Sequence, residues 1–254
     1  MLRLATKRTP VRMTRSKAVL ALRGHNVEDY ATLRDMDTTD VAVLDEADRA
    51  CLDQLGHYLV STDSWQRFAI WLLHKHFEPA AGEVFVESMT TAPRGTQTTP
   101  VERRSARGLN ATSMRFDPDV RSGVGVIGME FADPADFGST PSVSPDDEAV
   151  LEGIAQRLRA HGKTERFGVR LIRNPLGLLE NEVLVETCDI AHRTLHCSVG
   201  ERDVQAANSV ETTWQWKPDL SKSGPTAKRL CSFVCQFDYA WGAHLMWGHT
   251  WYPD

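Results

Sequence analysis

Long apolar runs are missing from this chain. No stretch approaches the roughly 18 to 20 residues that a helical membrane span needs, so no transmembrane helix is expected. The apolar core and cleavage pattern of a secretory signal are not read at the start either. The phosphate loop Gly-x-x-x-x-Gly-Lys-Ser/Thr, the dinucleotide fingerprint, the Gly-x-Ser-x-Gly elbow and His-Glu-x-x-His do not occur, which leaves nucleotide-driven and elbow-serine chemistry without a sequence basis. Acidic residues are absent from the first 27 positions, which carry seven Arg or Lys. Cysteine is sparse and odd in number (Cys51, Cys188, Cys197, Cys231, Cys235), which suits reduced thiols or metal ligands better than a disulfide framework.

The basic start contrasts with the adjoining segment, because Glu28 to Asp53 holds nine acids against two Arg. Without the first 27 residues the formal net charge falls from −5 to −12, and so acidic a body disfavours a nucleic-acid face. The start reads as a disordered tail, giving a cytoplasmic protein. The alternative is organelle targeting through an Arg-rich, acid-poor leader. At 254 residues the chain is long enough to bury a real core.

The most informative stretch, Gln66 to Ser88, aligns without a gap with Glu165 to Thr187, 99 residues later. Arg67, Phe68, Leu72, Glu83, Val84, Val86 and Glu87 are matched by Arg166, Phe167, Leu171, Glu182, Val183, Val185 and Glu186. A helix precedes each stretch. In the first, Asp45 caps and Asp48 stands third; in the second, Ser144 caps, Pro145 opens and Asp147 stands third. Strand-like runs follow, Phe68 to Phe77 and Glu83 to Ser88, with Phe167 to Ile172 and Glu182 to Thr187 as counterparts. Pro93 to Ala111 has no sustained apolar pattern and reads as a loop, and further strands are expected at Ser113 to Asp117 and Val124 to Phe131. The pattern predicts an α+β fold made by internal tandem duplication of a helix plus about four mostly antiparallel strands, in a pseudo-twofold arrangement. The expected division is a basic tail and lead-in over 1–42, a first repeat over 43–132, a linker over 133–142 and a second repeat over 143–254.

Chemistry concentrates where the copies differ. His74-Lys75-His76 ends the first strand-like run, and residues two apart on a strand point the same way. Two imidazoles and a nearby carboxylate can hold non-haem iron or serve in acid–base work, and Glu87 on the next strand is the first carboxylate to test. The second copy has Arg173 and Pro175 at the histidine positions, so the histidines are dispensable to the scaffold. The glutamates, present in both copies, read as structural.

A second set, Cys231-x3-Cys235-x8-His244-x4-His249, offers two thiolates and two imidazoles, the donors of a closed structural zinc site. Cysteines four apart on a straight strand lie roughly 13 Å apart, which weighs against that set. A third, Cys188-x3-His192-x3-His196-Cys197, would stack Cys188, His192 and His196 on a helix, or could meet His74 and His76 from the other half. The resulting expectation is a metal-dependent enzyme acting on a small molecule, with zinc, or alternatively iron, as cofactor. The alternative is a non-enzymatic protein-interaction module clipped by structural zinc.

Overall fold

The computed structural model describes residues 21–24, 27–35, 41, 43–106, 108–118, 124–136, 143–173, 176–201, 209–221, 226–238 and 243–244. Among them are three α-helices: α1 (Val27–Ala31), α2 (Glu46–Ser61) and α3 (Glu148–Ala160). Twelve strands accompany them. The first six are β1 (Ala21–Gly24), β2 (Phe68–Leu72), β3 (Glu83–Thr91), β4 (Arg94–Glu102), β5 (Asn110–Phe116) and β6 (Gly125–Ala132). The rest are β7 (Phe167–Leu171), β8 (Glu182–Asp189), β9 (Thr194–Glu201), β10 (Ser209–Pro218), β11 (Ala227–Asp238) and β12 (Ala243–His244). No helix among the described residues is long and apolar enough to cross a membrane.

Ten of the strands close on themselves. Around the ring the order is β6-β3-β4-β9-β8-β11-β10-β2-β7-β5, and β5 pairs back onto β6. β1 lies parallel to β6 and β12 pairs with β11 beside the ring. The barrel is mixed, since β3 runs parallel to β6 and β8 parallel to β11, while the hairpins β3–β4 and β8–β9 are antiparallel.

This corrects the expected α+β fold of two repeats with about four mostly antiparallel strands each. Strands from the two segments alternate in one closed barrel, through the pairs β4–β9, β2–β7, β5–β7 and β10–β2, and no pair of repeated α+β units stands apart. The physical reason lies in β4, which falls inside the stretch read as a loop. Its inward residues are Thr96 and Thr98, both buried, so a polar interior replaces the apolar alternation that marks a strand. The β8–β9 hairpin replaces the helix considered for Cys188, His192 and His196, which fall on β8, on the turn and on β9.

Each strand has two faces with different jobs. On β2 and β7 one face, Phe68, Ile70, Leu72 and Phe167, Val169, Leu171, joins Leu52, Leu55 and Leu59 of α2 and Leu151, Ile154 and Leu158 of α3 in one apolar core. Each such side chain contributes about 1.5–3 kcal/mol on burial. Contact there is close: a Cβ on Gly56 would stand 2.1 Å from the Trp216 indole nitrogen, so only glycine lets α2 approach β10. The other face of the same strands, Trp71 on β2 and Arg170 on β7, points into the barrel.

The helix starts are tied to the opposite segment. Asp48 of the Asp45 capping box accepts from Arg166 at 2.8 Å and Lys163 at 2.6 Å. Asp147, which also accepts from the Ser144 backbone, takes both Arg67 nitrogens at 2.5 and 2.6 Å. Burial raises the Asp147 carboxyl, but the Arg67 guanidinium and the Ser144 amide outweigh it and hold it below the ordinary range.

Candidate metal centre

β2 ends at Leu72, and with it the two-residue alternation. The chain then turns inward and sets His74 almost wholly out of solvent, 1 % exposed, with Nδ1 2.7 Å from the Leu72 carbonyl. A carbonyl only accepts, so Nδ1 carries the proton and Nε2 keeps its lone pair. Burial pushes the His74 pKa down, against the partial opposition of the Glu186 charge, and the ring is neutral near pH 7. A neutral imidazole held by its second nitrogen is the state a metal takes up.

His76 presents Nε2 to His74 Nε2 at 3.0 Å and Nδ1 to the Cys188 thiol at 3.0 Å. With both rings neutral the three contacts admit one proton order: the Cys188 thiol donates to His76, His76 to His74, and His74 to Leu72. The His76 backbone hydrogen-bonds the Tyr30 hydroxyl, which places the segment containing α1 over this end of the interior. Parallel pairing of β11 with β8 then sets Cys235 beside Glu186. Glu186 accepts from Thr212 at 2.8 Å, and the Cys235 thiol hydrogen-bonds the same carboxylate. Burial first, and the Glu186 charge second, push the Cys188 and Cys235 thiols up, so both are protonated without a cation.

His74, His76, Glu186 and Cys235 therefore each offer one donor atom, and these atoms all lie within 4.8 Å of one another. This group could hold a metal ion. A tetrahedral zinc places its donors roughly 3.3 to 3.8 Å apart, so the two imidazole nitrogens, 3.0 Å apart here, would part slightly while the wider pairs close in. Soft sulfur with two imidazoles suits zinc or iron(II), and a carboxylate is compatible with both.

The chain matches no family model, no curated protein and no solved structure. The site thus has to be read from its own geometry.

Of the residues singled out from the sequence, His74 and His76 come together. Glu87 does not join them. It is buried on β3 against Arg173 and at 3.5 Å from Arg170, whose other amino group lies 3.3 Å from Glu130. Burial would raise the Glu87 carboxyl, yet Arg173 and Arg170 hold it below its ordinary value. Glu130 goes up, because burial outweighs its guanidinium neighbour. From the set Cys231, Cys235, His244 and His249, Cys235 belongs to the group above; the side chains of Cys231 and His244, and the whole of His249, lie outside the described residues. His192 is exposed on the β8–β9 turn against Asp189, while Cys188 touches His76.

Sequence reasoning missed Glu186 as a donor. Its match to Glu87 made it look like scaffold, and no linear spacing connects it to His74, 112 residues away. Only the β8–β11 pairing delivers it.

Proposed function

We propose that this is a metal-binding protein in which His74, His76, Glu186 and Cys235 hold one transition-metal ion, zinc in preference to iron because a thiolate is among the donors. The observation that carries the reading is the convergence of four donor atoms within 4.8 Å, drawn from three separate parts of the chain. Their chemistry supports it further: the lone pair of His74 is already aimed, the Cys235 thiol can release its proton on binding a cation, and His76 can free Nε2 by carrying its proton on Nδ1 instead.

The role of the ion turns on Glu186. If all four side chains bind, the centre is closed and structural, which the near-complete burial of His74, Glu186 and Cys235 favours. That form suits a non-enzymatic protein-interaction module. If His74, His76 and Cys235 bind and Glu186 stays on Thr212, one position remains for a small molecule, with the carboxylate poised as general base. We favour the three-donor form, a metal-dependent enzyme acting on a small molecule, because His76 is only half-buried and so leaves one side of the ion approachable.

Metal analysis of the purified chain, followed by titration of Glu186→Gln, tests this. We expect one zinc per chain in the wild type, lost in Cys235→Ser and in His74→Ala. Glu186→Gln retaining zinc within tenfold of wild-type affinity supports three donors; loss of zinc in that variant assigns the closed form. Absence of metal from all preparations and no saturable uptake would overturn both.

A further inference from the structure

The ladder between β10 and β11 is broken at one place, beside the metal group. Glu211 pairs with Val234 and Thr213 with Phe233, so Thr212 has no residue opposite it on β11. The earlier offset is restored where Trp214 pairs with Cys231, which confines the break to this point. A regular strand alternates its side chains, but here the exposed Glu211 is followed by two buried threonines in succession, Thr212 and Thr213. A bulge of this kind re-aims a side chain. It sets the Thr212 hydroxyl 2.8 Å from Oε2 of Glu186, although β11 lies between β10 and β8 in the ring.

The Glu186 carboxylate is thus tied to Thr212 and to the Cys235 thiol. The second tie lasts only while the sulfur keeps its proton. A bound ion takes that sulfur as thiolate, and the Thr212 hydroxyl still holds the carboxylate. With two neutral imidazoles and one thiolate as donors, a divalent ion keeps one unit of positive charge, and Glu186 stands close enough to feel it. What the carboxylate gains by closing on the ion is offset by the hydroxyl it gives up and by the water or small molecule it displaces. Without the hydroxyl that balance shifts. A buried carboxylate short of a donor then moves onto the cation.

We propose that Thr212 is a positioning residue: its hydroxyl, aimed by the bulge, holds Glu186 as an unbound base and keeps one coordination position of the ion free. This rests on the metal reading above and accounts for one of four converging donors staying out of the coordinated set.

Cobalt(II), whose visible spectrum reports its coordination, tests this by titration into the full chain, with zinc affinity measured by chelator competition. The variants are Thr212→Ser, Thr212→Val or Thr212→Ala (whichever of the last two circular dichroism shows to be folded), and that variant combined with Glu186→Gln. Loss of the hydroxyl should change the cobalt spectrum and tighten zinc about tenfold, and Thr212→Ser should match the wild type. Adding Glu186→Gln should cancel the change, which a mere packing defect at Thr212 would not allow. A wild-type spectrum and affinity without the hydroxyl, or a change that Glu186→Gln does not cancel, overturns the inference and leaves the metal reading intact. Weaker zinc without the hydroxyl, matched by Glu186→Gln alone, overturns it too and makes Thr212 the support of a bound carboxylate. No uptake of cobalt or zinc by the wild type overturns the metal reading, and the role of Thr212 with it.

Discussion

Glu87 and Glu186 occupy like places in the barrel and live in unlike surroundings. Glu87 on β3 stands across from Thr98 of β4 and Ala132 of β6; Glu186 on β8 stands across from Cys197 of β9 and Cys235 of β11. Both are buried, at 2 % and 1 % exposure, so each charge needs an answer from within. Glu87 meets Arg173 and Arg170, cations that cannot lose their protons. Glu186 meets a hydroxyl, a thiol and the two histidines, with the Arg170 charge reaching it only through space. One carboxylate carries its counter-charge on the chain. The other is surrounded by groups that could hold a cation but do not supply one.

The contrast breaks most sharply at the carboxylates themselves. Glu87→Gln leaves two buried guanidiniums under-compensated and should cost about 3–5 kcal/mol in the metal-free protein, read from urea midpoints. Glu186→Gln removes hydrogen-bond acceptors and should cost only about 1–3 kcal/mol. Equal losses would mean that the two sites do not differ in the way described.

Zinc gives the next largest contrast. At a free concentration 100-fold above its dissociation constant it should stabilise the wild type by about 2.7 kcal/mol, and Cys235→Ser and His74→Ala should abolish that gain. Glu87→Gln, compared with its own metal-free form, should keep it. A thermal shift series with and without a chelator checks this.

Acid separates them further. The folded Glu87 value lies below the ordinary carboxylate value of about 4.3, so its stabilising contribution is complete above that pH and is lost as pH falls through the folded value. Glu87→Gln should flatten that acid limb of stability, read from urea midpoints across the acid range. The smallest effect is expected at Cys188, which reaches the metal group only through His76. Cys188→Ala should weaken zinc about tenfold, measured by competition with a chromophoric chelator, and change metal-free stability by less than about 1 kcal/mol.

What could be read in advance was local. The Asp45–Asp48 and Ser144–Asp147 caps are decided within four residues, and both are present. β2, β3, β7 and β8 announce themselves through β-branched and aromatic runs. β4 does not, because a strand whose buried residues are Thr96 and Thr98 lacks the alternation on which such reading depends; β9 alternates Leu195, Cys197 and Val199, but its His and Cys residues drew it into a ligand set, and without both strands ring closure is invisible. The site divided the same way. His74 and His76 were identifiable as donors by their type and by their absence from the matching stretch. Cys235 was identifiable as a thiol donor but was grouped with its neighbours in sequence. Glu186 was hidden because the partner that gives it meaning lies on a strand about fifty residues further on, and pairing at that distance leaves no trace in spacing.

The order of the donors along the chain has a further consequence for how the protein is made. His74 and His76 leave the ribosome first, Glu186 comes more than a hundred residues later, and Cys235 later still, on β11. β11 is also the strand that links β8 to β10, so until it exists the ring is open and Glu186 lacks the Cys235 thiol. A nascent chain therefore carries both histidines well before the four-donor group is complete. Under the proposed metal binding, capture by the full donor set would report that β11 has been synthesised and seated, and a chain truncated before Cys235 would lack one donor and the ring's closing strand.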